Sequence, residues 1–500
     1  MDWANWLPLL VVLSSFGPGI VIFFLGEEHF VLRTALNLAG AIFKLGFIAV
    51  MLLGVYAGVD YETRMTIMGD FDLVLNSSAL AMLFVTLSGF LWLVTTVYAI
   101  GYLEKTANRS RFFGFFSLCV SASTGIALAG NLLTFIIFYE LLTLTTYPLV
   151  VHRETKEARR AGIIYLGYTL VGGSLLLLGI VWLHAIVGGP ISFIPGGSLG
   201  ELGYGPSPTL TVIFFVLVAG LGVKGALVPF HGWLPIAMIA PAPVSALLHA
   251  VAVVKAGAFG IIRVVYDVYG LSLVDAMGVD LPLAIIASLT IVYGSVKALF
   301  QDGIKRMLAY STISQLSYIV LGVAVVGPLA TIGGVVHLVH QGIMKITLFF
   351  CAGAIEHTVG VTKISQMDGL GRRMPLTMVA FTVAALGMIG VPPLAGFISK
   401  WFLGIGAAQV GRTWVIWVLA LSTLLNAGYF LPVLYRGWFK APIDAWRNPH
   451  PEEPEPILEA HASLLVPLLV TAALVLLVGL FANTVVSPLD WVRIIVERLY

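Results

Sequence analysis

Apolar runs long enough to cross a membrane, separated by short polar or Gly/Pro-rich stretches, fill nearly the whole chain. A spanning helix needs about 20 predominantly apolar residues. On that measure the pattern predicts fourteen spans, approximately 6–26, 34–58, 73–100, 112–129, 131–150, 162–187, 209–228 with a broken continuation to about 240, 243–266, 281–300, 310–327, 329–354, 376–402, 412–435 and 463–486. Gly327-Pro328 marks the split between spans ten and eleven. Residues 188–208 (GGPISFIPGGSLGELGYGPSP) predict an outer loop. Residues 441–461 (APIDAWRNPHPEEPEPILEAH), proline-rich and acidic, predict an exposed linker that holds His450 and His461. Trp491 to Tyr500 is amphipathic and predicts a segment lying on the outer membrane surface or on a partner.

Two stretches interrupt the pattern. Residues 220–257 (GLGVKGALVPFHGWLPIAMIAPAPVSALLHAVAVVKAG) carry Lys224, Lys255, His231, His249 and four prolines, with no acidic residue. Irregular backbone at bilayer depth is tolerated only where it is buried in protein or lines a cavity, and charges there are costly and mark function. The second stretch, GVPPLAGFISKW at 390–401, sets Lys400 beside Pro392 and Pro393 as the first sets Lys224 beside Pro229. The breaks fall in spans seven and twelve. Interrupted segments at corresponding places in two halves point to repeats, and an odd number of spans inverts the second unit. The division predicted is an N-terminal helix group (1–111), a first five-helix repeat (112–266), a second (281–438), and a linker with helix 14 and tail (439–500). The match is imperfect, because Lys224 precedes its break and Lys400 follows its own.

Composition removes soluble alternatives. Hydrophobic residues make up 59% and charged residues 10%, against about 25% charged in an ordinary globular chain. The fold class expected is therefore an all-α polytopic membrane protein. A net charge of +2 gives no sign of a nucleic-acid partner. Cys119 and Cys351 lie in apolar runs and suggest neither a disulfide framework nor a metal site. No cysteine cluster for iron–sulfur ligation and no phosphate-binding glycine loop is present, so no metal, no cofactor and no catalytic site of the chain's own is expected. Asp2 stands where a signal peptide's basic region would begin, so no cleaved leader is expected.

Loop charge sets an orientation. Connections leaving odd-numbered spans carry sixteen Lys or Arg (Arg33; Lys105, Arg109, Arg111; Arg153, Lys156, Arg159, Arg160; Lys305, Arg306; Lys363, Arg372, Arg373; Arg436, Lys440, Arg447). The other side carries five, Arg64, Arg263, Arg412, Arg493 and Arg498. Positive loops stay inside, so both termini are expected outside.

Six lysines remain within spans: Lys44, Lys224, Lys255, Lys297, Lys345 and Lys400. Lys44 and Lys297 lie toward the ends of theirs and are expected to snorkel to the interface. In HLVHQGIMKITLFF a helix places His337, Gln341 and Lys345 on one face, with His340 beside them. Imidazoles there can pass protons near neutral pH. His231 and His249 flank the first break as auxiliary groups, and His184 is expected at the interface. Glu140, in NLLTFIIFYELLTL, is the carboxylate in the middle of a span. Alone it would be protonated and inert. Beside a lysine it forms a pair in which each charge holds the other, and moving one partner releases a proton. Lys224 is the expected partner.

The segments YELLTLTTYPLV (139–150), KGALVPFHGWLPIAMIAPAPVSALLHAVAVVKAGAFGIIR (224–263), IKRMLAYSTISQLSYI (304–319), HLVHQGIMKITLFFCAGAI (337–355) and GVPPLAGFISKW (390–401) resemble the large antiporter-like subunits shared by Mrp-type cation/proton antiporters, respiratory complex I and membrane-bound hydrogenases. The resemblance covers nearly the whole chain. It implies fourteen helices, inverted five-helix repeats, and broken helices seven and twelve. It also implies a line of residues across the membrane centre: Glu140 with Lys224 as coupling pair, Lys255 and Lys345 as relays, and Lys400 as terminal lysine. Family members often have histidine where Gln341 stands; glutamine carries no proton, so the relay there would pass through water or His340. The AVVKAGAFGIIR and GFISKW wording is most similar to the D-type chain of Mrp antiporters. The implied function is a proton-translocating subunit of a multi-subunit Na+/H+ antiporter in a prokaryotic cell membrane, partnered by small Mrp-type subunits and a second antiporter-like subunit. The alternative is a proton-pumping subunit of a quinone reductase or hydrogenase. A passive scaffold would have no use for these buried charges. No cluster of oxygen ligands for sodium is legible.

Overall fold

Backbone N–H and C=O groups find no water in hydrocarbon, so a chain this apolar must satisfy them within helices. A computed structural model, which describes residues 3–69, 71–103, 106–442 and 457–500, shows that solution. In chain order its principal helices are α1 (Leu7–Phe23), α2 (Phe30–Tyr56), α3 (Ala79–Tyr102), α4 (Arg109–Leu128), α5 (Leu132–Val150), α6 (Lys156–Val187), α7 (Pro208–Lys224), α8 (Phe230–Ile239) and α9 (Ala242–Tyr269). There follow α10 (Asp280–Leu299), α11 (Ile304–Ala324), α12 (Pro328–Val359), α13 (Pro375–Ile389), α14 (Ala395–Gln409), α15 (Trp414–Phe439), α16 (Ala462–Leu480) and α17 (Pro488–Glu497). Among the described residues twelve helices are long and apolar enough to cross a membrane. The remaining apolar helices α7, α8, α13 and α14 are too short alone, and α7 with α8, like α13 with α14, is consecutive across a break.

Several boundaries move for local reasons. The third apolar run begins as a strand: β1 (Glu62–Met68) pairs antiparallel with β2 (Phe71–Asn76), Glu62 opposite Asn76. FDLVLN carries Phe71, Leu73, Val74 and Leu75 directly before the apolar helix, so hydropathy runs the two together. Ser78 separates them by capping α3, accepting from the Ala81 N–H at 3.3 Å. Thr155 caps α6 the same way and starts it at Lys156. In the twelfth run, Gly390 closes α13 at φ 94°, the left-handed region glycine favours. Arg263 is no loop residue: it lies buried inside α9, paired with Asp267 at 2.6 Å. The C-terminal segment forms α17, and its apolar side, with Leu489, Val492 and Val496, packs on α3 and α12 of this same chain rather than on an outside surface. Most of the expected linker 441–461, with Arg447 and His450, lies outside the described residues, as does Lys105. His461 caps α16.

The loops counted as basic gather on one face. Arg109 meets Glu27 at 3.3 Å, Arg153 and Lys305 share Glu356 at 3.1 and 3.0 Å, and Arg436 meets Asp368 at 2.9 Å; Arg111 pairs with Glu154. The opposite face holds the hairpin, loop 188–208 and the Arg412–Asp280 pair. Between the faces the interior is wholly buried around α9 and α12, the two helices that carry Lys255 and Lys345.

Candidate functional site

The first break builds a lysine site. α7 ends at Lys224: Gly225 still donates to the Leu221 carbonyl as helix cap, and Ala226 leaves the helical path at φ 54°. Carbonyls freed by such an ending must find donors; the Trp233 indole N–H takes that of Val223 at 2.7 Å. Pro229 follows at the turn into α8, where the Val228 N–H donates to Thr290 Oγ1 at 3.1 Å. Lys224 is buried, donates to the Tyr139 carbonyl on α5, and stands 3.4 Å from the centroid of the Tyr139 ring. Glu140 is the next residue. Lys224 and Glu140 interact electrostatically but form no ion pair within 4.0 Å among the described residues. Glu140 Oε1 is buried without a hydrogen-bond partner and lies against Gly173 of α6, where a Cβ would collide with it.

A second group lies on α9, α11 and α12. α9 is interrupted at Val251–Ala252, and Lys255 sits in the first turn after the interruption. It is buried and donates to the Leu338 carbonyl of α12 at 2.6 Å. Gly225 and Gly257 let α7 and α9 touch backbone to backbone: a Cβ on Gly257 would stand 2.7 Å from Gly225 Cα. Lys345 is buried and donates to the Leu308 carbonyl at 3.2 Å and to Ser311 Oγ, both on α11. His337 lies between Ser399 Oγ at 2.7 Å and Gln315 Oε1 at 3.1 Å. Lys255 interacts electrostatically with His337, His340 and Lys345. Both ring nitrogens of His340 and both amide atoms of Gln341 are buried without side-chain partners, which is how groups served by water look. His249 stacks on Phe349 with centroids 4.5 Å apart, near Lys345. His231 packs edge-on against Tyr293 of α10 at 4.8 Å, apart from this group.

The second break holds the last lysine. Pro392 and Pro393 lie between α13 and α14. Lys400, on α14, reaches back to the Met388 and Ile389 carbonyls at 3.1 and 2.7 Å and to Thr423 Oγ1 at 3.3 Å. These are the freed carbonyls at the C-terminal end of α13, where the helix dipole favours a cation. Lys400 also interacts with His337. The structure thus brings Lys255, His337, His340 and Lys345 together and sets Lys400 next to them. Glu140 and Lys224 form a separate pair, joined to the rest through the α7–α9 contact.

Lys44 corrects the sequence reading. It does not snorkel: it is fully buried, with Nζ donating to Ser15 Oγ at 2.9 Å and Thr124 Oγ1 at 2.7 Å. It lies near the middle of α2, as it does of the predicted span 34–58, too deep for its ammonium to reach the interface. Lys297 is exposed at the end of α10. Sequence reasoning also passed over Ser311, Gln315 and Ser399. The first two stand at i and i+4 in an apolar run, a spacing that would have marked them. Among the described residues no cluster of three His, Cys, Asp or Glu side chains is placed to hold a metal ion.

Residues 129–426 match the family described as NADH:quinone oxidoreductase/Mrp antiporter, TM. The chain belongs to that family. It is 36% identical over 417 residues to the N-type chain of NADH-quinone oxidoreductase from Desulforudis audaxviator, covering 81% of each chain. It is 28% identical over 426 residues to the D-type chain of the Na(+)/H(+) antiporter from Alkalihalophilus pseudofirmus, covering 84% of each. Among solved structures its fold matches a chain of the membrane-bound sulfane sulfur reductase, an archaeal respiratory membrane complex, with a TM-score of 0.84 at 23% identity over 100% of this chain and 98% of that one. This member of the quinone oxidoreductase/Mrp antiporter family is a helical, polytopic membrane protein, and its relatives include both antiporter and redox-complex subunits.

Proposed function

We propose that this chain is a proton-translocating subunit of a multi-subunit membrane complex, a Na+/H+ antiporter in the first reading. One observation carries the proposal. Lys224, Lys255 and Lys345 are wholly buried, and each ammonium rests on carbonyls, hydroxyls or an aromatic face rather than on a carboxylate. Charging an amine in such a place costs several kcal/mol (of order 3–5 without its partner). Neutral acceptors lower that cost without cancelling the charge. Occupancy by a proton then responds to a nearby charge, and among the described residues the carboxylate at Lys224 is Glu140. A shift of Glu140 toward or away from Lys224 changes whether Lys224 holds its proton. The proton passes by water across the α7–α9 contact to Lys255, then among His337, His340 and Lys345, and reaches Lys400. Gln341 orients water in this scheme and carries no proton itself.

The same reading includes fourteen spans, ten of them in two inverted five-span units, α4–α9 and α10–α15. Corresponding helices support it: α6 and α12, third in each unit, both run 32 residues and both end on a left-handed glycine, Gly188 and Gly360. Lys224 is the last residue of α7, and the Lys400 ammonium reaches back to the last carbonyls of α13, so each lysine attends the end of the first half of a broken helix, which supports the correspondence. The complex sits in the plasma membrane with the basic face inside and both termini outside, beside smaller membrane subunits and a second antiporter-like subunit. The 36% identity to a quinone oxidoreductase chain favours a second reading, in which distant electron transfer drives the same lysines. Proton flux in proteoliposomes carrying the whole complex separates the two. Flux that follows a sodium gradient with no redox donor supports antiport; flux that appears only with a donor and quinone supports the second reading.

A further inference from the structure

Lys44 lies outside the residues that carry the family match, and the scheme above gives it no task. Its surroundings do. From the basic face a polar seam runs between α1, α2 and α4. At its mouth Glu27, partly exposed, accepts the Ser110 N–H at 2.8 Å and pairs with Arg109 and with the buried Arg33. Arg33 donates to Ser110 Oγ at 2.8 Å. One turn deeper, Asn37 donates to the Arg33 carbonyl at 3.0 Å and accepts from Ser117 Oγ at 2.9 Å. One turn further along α4, Ser121 donates to the Val12 carbonyl at 3.2 Å, and Ser15 donates to that carbonyl at the same distance. Ser15 and Thr124 then hold Lys44.

Two features show a built path rather than stray polar atoms. Arg33, Asn37 and Lys44 occupy one face of α2, with Gly40 between them, where a Cβ would come within 2.6 Å of the Ser14 carbonyl; small size keeps α1 against α2 along the seam. Beside Lys44, the indole N–H of fully buried Trp92 has no partner, although the ring centroid is 5.1 Å from Nζ. A buried donor without an acceptor is costly, and a water between Trp92 and Lys44 would satisfy both. The carriers are unlinked at three places: from Glu27 to Ser117, from Ser117 to Ser121 one helical turn on, about 5–6 Å, and from Ser121 to Ser15, which share the Val12 carbonyl; a water at each would complete the path. Among the described residues no carboxylate lies within ion-pair distance of Lys44.

We propose that Lys44 is a proton-binding site loaded from the basic face through this seam. The neutral amine takes one proton and becomes ammonium; the hydronium that reaches Glu27 is left as water. From Glu27 the proton moves by water past Arg33 to the Ser117 hydroxyl, which Asn37 orients, and then by water between the hydroxyls of Ser117, Ser121 and Ser15 to Lys44. The proposal rests on the proton-translocation reading. Its test measures proton flux in proteoliposomes of the whole complex for Lys44→Met, Asn37→Leu and Glu140→Gln. The expected result is a loss of about tenfold for both Lys44→Met and Asn37→Leu, a fraction of what a positioned proton-transfer group contributes. Lys44→Cys, in a Cys119→Ala and Cys351→Ala background, is expected to react with a water-soluble methanethiosulfonate added on the basic face, and Asn37→Leu to slow that reaction. A dry, merely structural lysine would leave the thiol unreactive and Asn37→Leu without effect, and that overturns the proposal even where Lys44→Met fails to assemble. Loss of flux in Glu140→Gln with full flux in Lys44→Met overturns this site alone; full flux in both overturns the broader reading.

Discussion

Each buried lysine of the core is defined by what holds its ammonium, and that can be changed an atom at a time. Gly173 leaves room for the Glu140 carboxylate, so Gly173→Ala pushes that group from its place. Proton flux is expected to fall while the amount of assembled complex stays near normal. Ser399→Ala removes one of the two groups that fix His337; a lost hydrogen bond of this kind is worth roughly 0.5–1.5 kcal/mol, so a several-fold loss of flux is expected in the same assay. Outside the membrane core, His152 shows a titration of structural consequence. Burial, then the positive Arg111, pulls its imidazole down to about 4, against about 6.5 unfolded. A depressed value means the neutral ring's stabilisation is complete above about pH 6.5 and is lost as pH falls toward about 4. Thermal unfolding of the complex at pH 7 and pH 5 is expected to show a smaller acid-induced drop in His152→Gln.

At the scale of elements, the breaks were legible and their stabilisation was not. Pro229 and the Pro392-Pro393 pair announce interrupted helices, because proline removes a donor and clashes with the preceding turn. Nothing in the local sequence says that Trp233 supplies the donor for the Val223 carbonyl, since that bond depends on the chain turning back on itself. Trp233→Phe leaves that carbonyl to the Ala226 N–H at 3.2 Å and is expected to cost about 0.5–1.5 kcal/mol, the worth of one lost hydrogen bond, read as a lower unfolding temperature. The hairpin β1–β2 escaped because hydropathy does not distinguish an apolar strand from the start of a helix. Lys44 lies near the middle of both the predicted span 34–58 and α2; hydropathy does not show that Ser15 and Thr124 hold its ammonium in the interior.

At the scale of the molecule, loop charge and helix order were readable from the sequence, while the side-chain geometry of the relay was not. Glu140 and Lys224 are 84 residues apart in sequence, and only the packing of α5 against α7 shows that the lysine rests on the Tyr139 carbonyl beside the acid. The proposed orientation has its own check. Leu202→Cys, exposed in loop 188–208, is expected to react with an impermeant maleimide in intact cells, and Arg372→Cys only after the membrane is opened; the reverse pattern would invert the assignment. The central claim is that Glu140 governs the proton on Lys224. Its most direct test is proton flux by the reconstituted complex carrying Glu140→Gln, which keeps the shape and removes the charge. Flux reduced by roughly a hundredfold, at the lower end of what a positioned proton-transfer group supplies, is the result expected; unchanged flux in a fully assembled complex would contradict the account.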